Sequence, residues 1–251
     1  MHRFLIPLAE ARLELVTLAG NEAHHAARVV RVQAGETVTL LDGAGTELLG
    51  EVRSVNRRAV TIRITGRREH PRPAAQVTLI QAIAKSTAME GLVHRAVELG
   101  CARLVPLLAE RSVSRPEDGE AKRAKLQAIA DVACKQSGNP WQLTVELPLA
   151  PSEWLNRRDF PELLLIASLA DAPTSVRRRF EEFRETYERS PRGVGLLIGP
   201  EGDFSPAEYA LFREAGARAV SLGPSVLRVE TAATVLLGLV GQELAAAPAT
   251  A

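Results

Sequence analysis

From Gln76 onward, short apolar runs alternate with segments of helical period. The predicted strands are 77–84, 103–108, 143–147, 163–169, 194–198 and 219–222, and the predicted helices are 89–99, 120–137, 174–189, 206–215 and a last one from Ala232. One helix has clear boundaries: Ser205 is its N-cap, Glu208 is the capping-box partner, and Gly216 ends it. Because strands that alternate with helices pair in parallel, this pattern predicts an α/β domain with a largely parallel sheet.

The first 72 residues follow a different pattern. Strands at 1–6, 38–42, 49–55 and 60–64, with a turn at 56–58, predict a small β-rich barrel or meander. Between them, a helical segment starts at a capping Asn21 and ends at Gly35. The segment 67–73 is charged and holds two prolines, which oppose both helix and central strand. We therefore predict two domains, 1–72 and 73–251.

Composition and charge narrow the class of protein. With 46% hydrophobic and 24% charged residues the chain is predicted to fold as a globular protein, and its net charge of +1 does not by itself indicate nucleic-acid binding. Residues 1–72 carry 11 Lys and Arg against 8 Asp and Glu, so the basic excess lies at the amino end. There, Arg28 and Arg31 lie one helical turn apart, which suits either phosphate contacts or a solvated face.

Neither a targeting segment nor a metal site is predicted. No charged leader precedes an apolar run, and the stretch 232–241 is about half the length that a membrane span needs, so we expect a cytoplasmic protein. Cys101 and Cys134 are far apart and lack metal-ligand spacing, which favours two buried thiols.

Two glycine turns each follow an apolar strand near the carboxyl end. One is 199–204 and the other is 223–228. Turns of this kind let backbone amides and carbonyls approach a small ligand, so we expect one pocket between them. Lys85 follows the first strand of the domain where a nucleotide-binding Gly-x-Gly-x-x-Gly turn would stand. Phosphate loops, zinc-protease helices and nucleophile elbows are also absent from the sequence, which excludes the corresponding enzyme classes.

Motifs along nearly the whole chain resemble one family. They are His24-His25, Val29-Val30-Arg31, Gly35-Glu36, Lys85, Met89-Glu90, Glu98-Leu99-Gly100, Pro106, Glu110-Arg111-Ser112, Gln136-Ser137, Gly199-Pro200-Glu201-Gly202, Leu222-Gly223, Leu227-Arg228 and Glu230-Thr231-Ala232. In this order they resemble the RsmE family of SPOUT methyltransferases. That family uses S-adenosylmethionine to methylate N3 of a uridine in small-subunit (16S) ribosomal RNA.

The resemblance implies a fold, a partner and a cofactor pocket. It implies a PUA-like RNA-binding domain at 1–72, a trefoil-knotted SPOUT methyltransferase domain at 73–251, and a homodimer acting on 16S ribosomal RNA. The implied contacts to S-adenosylmethionine are Leu169, Leu197, Gly199, Pro200, Glu201, Gly202, Leu222, Gly223, Val226 and Leu227. For Leu222 and Leu227, plain core packing is an equally good interpretation.

Arg228 and Glu201 are the candidate catalytic residues. Transfer to uridine N3 requires loss of the imide proton, and Arg228 could stabilise the negative charge that develops on a uracil carbonyl. An ion pair that braces Glu230 or Glu201 is the alternative role for Arg228. Glu201 could accept the proton or could organise its loop, so the base stays open.

The predicted RNA contacts are Arg3, Arg28, Arg31 and Lys85. The sequence departs from the family pattern at four positions: Ala88, Ser225 and Asn139 replace basic residues, and Asp203 replaces a second glycine. Two other functions stay open. A SPOUT enzyme for the ribose 2′-hydroxyl of transfer RNA fits the Leu-Arg-x-Glu-Thr-Ala ending poorly, and a non-catalytic ribosome-assembly factor would bind RNA without the methyl donor.

Overall fold

The computed structural model describes residues 1–168 and 173–246, and these form two compact units. The first unit contains Met1–Arg72 together with Asp131–Gln142, and the second contains the remaining residues. The predicted contact Leu169 lies outside the described residues.

The first unit is built on a five-stranded sheet with the order β1-β3-β4-β5-β2. Its strands are β1 (Arg3–Leu5), β2 (Leu15–Leu18), β3 (Thr37–Leu41), β4 (Thr46–Val55) and β5 (Val60–Glu69). β1 pairs with β3 in parallel and the other pairs are antiparallel. Alternate residues such as Val38, Leu40, Val60 and Ile62 are fully buried in one core, which confirms the predicted β-rich unit.

The break predicted at 67–73 is partly wrong. β5 continues to Glu69, and Arg67, Arg68 and Glu69 pair with Leu48, Glu47 and Thr46. All three charged residues are exposed although successive strand residues point to opposite faces, so both faces of β5 are solvated at this end and the charges alone do not end it.

The helical segment of the first unit also differs from its prediction. Helix α1 (Gly20–His24) follows Ala19, so Asn21 is not its cap. A π-helix (His25–Val30) continues it and ends at Arg31, which has a left-handed φ of 59°, and not at Gly35. Because Arg31 lies beyond the helix, Arg28 and Arg31 do not share one helical face as predicted.

The second unit is built on a six-stranded sheet with the order β11-β9-β10-β6-β7-β8, in which every strand pair is parallel. Its strands are β6 (Gln76–Ala82), β7 (Arg103–Leu107), β8 (Thr144–Val145), β9 (Leu163–Ala167), β10 (Gly193–Ile198) and β11 (Arg218–Val220). Its helices are α2 (Ser86–Glu98), α3 (Gly119–Ser137), whose last turns belong to the first unit, α4 (Pro151–Leu155), α5 (Val176–Tyr187), α6 (Pro206–Glu214) and α7 (Val229–Ala245). This confirms the predicted α/β domain.

The last helix is buried on more than one side. α7 packs against α2, α5 and β10, with Leu236, Leu237 and Val240 almost wholly buried. It begins at Val229, three residues before the predicted start, so Arg228 is its N-cap. In the chain as described, no helix combines the length and apolarity needed to cross a bilayer.

Cys101 and Cys134 are free and buried, as predicted. Desolvation raises the pKa of each thiol to about 11, so both are protonated at neutral pH. Across the described ranges, no group of three or more His, Cys, Asp or Glu residues is placed to hold a metal ion.

Candidate functional site

A cavity of about 790 Å³ lies in the second unit, where β9, β10 and β11 end. Its walls come mainly from two loops, which we call the β10 loop (199–205) and the β11 loop (221–228). The amino-terminal turns of α2 and α7 complete it with Thr87, Ala88, Val229 and Glu230. Both glycine turns of the sequence therefore face one pocket, as their spacing predicts.

The β10 loop turns back on itself at Gly199. The Asp203 amide donates to the Pro200 carbonyl at 2.9 Å, which closes the turn. A Cβ on Gly199 would lie 3.1 Å from Asp203 Oδ1 and 3.2 Å from the Phe204 nitrogen, closer than ordinary side-chain contacts. Glycine at this position lets the loop pass this close to Asp203 and Phe204.

Asp203 keeps this loop in an unusual backbone conformation. Its φ is 60°, in the left-handed region that glycine normally occupies. One carboxylate oxygen, Oδ1, accepts hydrogen bonds from the Phe204 amide at 2.8 Å and from the Tyr209 hydroxyl at 2.9 Å. These bonds offset the cost of the left-handed backbone, which explains how an aspartate can replace the glycine of the family pattern.

Glu208 fixes the other end of the β10 loop. It is 6% exposed, and it forms the predicted capping box with Ser205: its Oε2 accepts from the Ser205 amide at 2.9 Å. The second oxygen, Oε1, accepts from the Glu110 amide at 2.8 Å. Arg111 adds a hydrogen bond to the Gly202 carbonyl at 3.0 Å. The β10 loop is thus joined to the segment after β7.

The β11 loop has fewer internal contacts. Its only side-chain hydrogen bonds among the described residues join Ser221 and Gly223. Gly223 has a φ of 122° and needs to be glycine for that reason. Val226 is 85% exposed, and Leu222 and Leu227 are half-buried on the cavity wall. These two leucines are therefore available to a ligand and are not purely core residues.

The two candidate catalytic residues both line the cavity. Arg228 is exposed, and neither Glu201 nor Glu230 forms an ion pair with it within the described chain, which argues against the bracing role. A cation at a helix N-terminus opposes the helix dipole, so Arg228 occupies an electrostatically unfavourable position. Glu201 is exposed, and its Oε1 lies 3.4 Å from the Lys85 amide nitrogen, which donates to it.

Most predicted cofactor contacts are brought together here. Gly199, Pro200, Glu201 and Gly202 line one side, and the predicted residues of the β11 loop line the other. Leu197 does not line the cavity, because its side chain is fully buried in the core behind the sheet edge. Of the departures from the family pattern, Ala88, Asp203 and Ser225 line the cavity, whereas Asn139 belongs to the first unit.

Of the predicted RNA contacts, only Lys85 lines the cavity. In the first unit, Arg28 and Arg31 are exposed. Arg3 instead donates from Nη1 to the carbonyls of Lys135 at 3.3 Å and Gln136 at 3.1 Å, at the carboxyl end of α3. A guanidinium there satisfies carbonyls that the helix leaves unpaired.

Sequence reasoning missed three polar residues on the cavity wall: Thr87, Ser168 and Tyr209. Thr87 and Ser168 carry no distinctive local signal. Tyr209 could have been found, because the capping box at Ser205 fixes where α6 begins. A residue one turn into that helix points back toward its N-terminus, and hence toward the β10 loop.

Two family models match the chain. An RNA methyltransferase domain matches residues 70–241, and an RNA methyltransferase PUA domain matches residues 18–65. The ribosomal RNA small subunit methyltransferase E of Mycobacterium tuberculosis is 31% identical over 224 residues, which are 88% of this chain and 84% of that protein.

Solved structures agree with the family models. A Legionella pneumophila methyltransferase in complex with bound SAM superposes with a TM-score of 0.83 at 30% identity, covering 96% of each chain. The ribosomal RNA small subunit methyltransferase E of Neisseria gonorrhoeae, bound to S-adenosyl methionine, gives a TM-score of 0.80 at 27% identity, covering 94% of this chain and 95% of that one. The family predicted from the motifs is confirmed: this chain belongs to the ribosomal RNA small subunit methyltransferase E family.

Proposed function

We propose that this enzyme transfers a methyl group from S-adenosylmethionine to N3 of a uridine in 16S ribosomal RNA. The observation that carries the proposal is the single cavity formed by both glycine loops, with an unpaired Arg228 at its wall. The family membership and the S-adenosylmethionine bound to the related structures support it.

The cavity suits the proposed cofactor in size and chemistry. Its volume of about 790 Å³ lies within the usual range for small-ligand sites. Gly199 lies on its wall, and the half-buried Leu222 and Leu227 offer apolar contact to a purine. We assign cofactor binding to these residues with Pro200, Gly202 and Val226. When bound, S-adenosylmethionine supplies an electrophilic methyl group.

In this proposal Arg228 and Glu201 have different roles at the uracil. Arg228 donates hydrogen bonds to a uracil carbonyl, and the amino end of α7 adds its own partial positive charge, so that the anionic base is stabilised as the N3 proton leaves. Glu201 uses Oε1 to accept from the Lys85 amide, and Oε2 has no hydrogen bond among the described residues. That oxygen is our candidate for accepting the proton.

We propose that the first unit binds the RNA, chiefly through the hairpin of β4 and β5. Residues 51–72 hold seven arginines and two glutamates, whereas residues 1–50 hold four arginines and six acidic residues. Arg57, Arg58 and Arg68 are exposed and make no ion pair within the described residues. Arg3, Arg28, Arg31 and Lys85 remain proposed contacts. The hairpin carries the larger positive charge that phosphates would meet.

Three further features belong to the proposal. The chain is a knotted SPOUT enzyme, with RNA binding at 1–72 and catalysis at 73–251. It acts as a homodimer, for which the exposed Gly238, Leu239 and Gly241 of α7 offer a close-packing face. Its substrate is 16S ribosomal RNA within the small ribosomal subunit, and its site of action is the cytoplasm.

The deciding experiment supplies labelled S-adenosylmethionine to the full chain with unmodified 16S ribosomal RNA or small subunits, followed by nucleoside mass spectrometry. We expect 3-methyluridine, and we expect Arg228→Ala to reduce its rate of formation on the order of 100-fold. A 2′-O-methylated nucleoside in transfer RNA would point to the ribose-modifying alternative. Absence of S-adenosylmethionine binding by calorimetry, with RNA binding retained, would leave the non-catalytic assembly factor.

A further inference from the structure

Asp203 differs from the other residues that adopt a left-handed backbone. Among the described residues, three non-glycine residues have a positive φ: Arg31, Glu188 and Asp203. Arg31 and Glu188 each end a helix, where this conformation is common. Asp203 ends no helix and stands in the cavity wall. Backbone strain of this kind tends to persist where a side chain has a task at a functional site.

The structural role of Asp203 uses only half of its carboxylate. Oδ1 accepts both hydrogen bonds that stabilise the β10 loop, from Phe204 and Tyr209. Oδ2 accepts none within the described chain, and the side chain is exposed on the cavity wall. An asparagine would keep the Oδ1 acceptor, so the loop geometry alone does not require the negative charge.

That charge adds to the negative side of the cavity wall. Among the described residues, the charged ones on the wall are two cations, Lys85 and Arg228, and three carboxylates, Glu201, Asp203 and Glu230. These five residues sum to a formal charge of −1, and the sum would be zero without Asp203. S-adenosylmethionine has a net charge of +1, from its sulfonium, ammonium and carboxylate groups. Loss of the methyl group turns the sulfonium into a thioether, so S-adenosylhomocysteine is neutral.

We infer that Asp203 gives the cavity a preference for the cationic methyl donor over its neutral demethylated product. This inference rests on the proposed function. A carboxylate in an exposed cavity wall acts through a high effective dielectric, so its contribution to the ratio of the two dissociation constants is about three- to tenfold. The consequence is weaker product inhibition, because the product loses the attraction that helped the donor to bind.

Calorimetric titration tests this inference without a turnover assay. S-adenosylmethionine and S-adenosylhomocysteine are titrated into the wild type, Asp203→Asn and Asp203→Gly. In both variants we expect the donor to bind about three- to tenfold more weakly and the product to bind as before. Raising the salt concentration from about 0.05 M to about 0.5 M should also lower the preference of the wild type for S-adenosylmethionine over S-adenosylhomocysteine. Glu214→Gln removes an exposed carboxylate outside the cavity wall and should change neither constant.

Two results would overturn the inference. Unchanged dissociation constants for both ligands in both variants would leave Asp203 as a loop-forming residue only. Equal weakening of both ligands would make it a partner of a group that the two molecules share. If Asp203→Asn does not fold, Asp203→Gly decides, because glycine adopts a φ of 60° without strain. Failure of the wild type to bind either ligand would instead refute the proposed function.

Discussion

The two loops that form the cavity differ in what holds them. The β10 loop is held by side-chain hydrogen bonds from Asp203, Glu208 and Arg111, which reach across to α6 and to the segment after β7. The β11 loop has side-chain hydrogen bonds only between Ser221 and Gly223 among the described residues, and Val226 is 85% exposed. The protein's own hydrogen bonds therefore hold the β10 loop in place, whereas the side chains of the β11 loop are available to contact a ligand.

This difference has an energetic consequence. A preorganised wall loses little conformational entropy when a ligand binds, whereas exposed side chains such as Val226 and Arg228 lose rotamer freedom. Substitutions in the β10 loop should therefore change the stability of the protein. Those in the β11 loop should change function with little effect on stability.

Replacement of Arg228 should have the largest effect. We expect Arg228→Ala to reduce the rate of methyl transfer on the order of 100-fold, because a preorganised donor to developing negative charge is lost. The melting temperature should stay constant or rise, since the replaced cation opposes the dipole of α7. Arg177→Ala, at an exposed position of α5 outside the cavity wall, is the matched control. A rate within twofold of wild type would remove Arg228 from the mechanism.

Loss of Glu208 should mainly affect stability. Glu208→Ala removes the capping box and leaves the Glu110 amide without its acceptor, so we expect the free energy of unfolding to fall by about 2 kcal/mol. Urea denaturation followed by circular dichroism measures this difference. Glu214→Ala, at the exposed end of the same helix, should change the free energy of unfolding by less than about 0.5 kcal/mol. An equal decrease of the free energy of unfolding in the two variants would contradict the role of Glu208 in holding the β10 loop.

Features with a local sequence signal were predicted well. The alternation of strands and helices from Gln76 onward gave the parallel sheet, and the capping box at Ser205 gave the start of α6, because both depend on residues close together in the chain. The two glycine turns predicted the position of the cavity. The strand at Arg67–Glu69 has no such signal, because it depends on the pairing of β5 with β4 and not on the charged residues themselves.

Features that depend on distant residues could not be predicted. The Glu208 carboxylate accepts from the amide of Glu110, 98 residues earlier, and no local pattern announces that contact. Residues 131–142, which are the last turns of α3 and the segment after it, join the first unit although α3 belongs to the α/β pattern.

Gly193 begins β10 and Gly199 follows its last residue. Substitution of each glycine tests how firmly the β10 loop holds its conformation. We expect Gly199→Ala to weaken S-adenosylmethionine binding about tenfold, because its Cβ would meet Asp203 Oδ1 at 3.1 Å and displace the cavity wall. Gly193→Ala places a Cβ at an ordinary 3.7 Å from its neighbours and should leave binding unchanged. Calorimetry measures both. Wild-type affinity in Gly199→Ala would mean that the loop can yield.

Val226 offers the smallest effect and the most direct test of the exposed wall. Because its side chain is 85% exposed, Val226→Ala should change the free energy of unfolding by less than about 0.5 kcal/mol. The same change should weaken S-adenosylmethionine binding about threefold, since the ligand would cover the apolar surface that is removed. Val240→Ala, at a fully buried position of α7, should instead lower stability by about 2 kcal/mol. If Val226→Ala lost stability like Val240→Ala, the β11 loop would be held by packing, and the contrast between the two walls would fail.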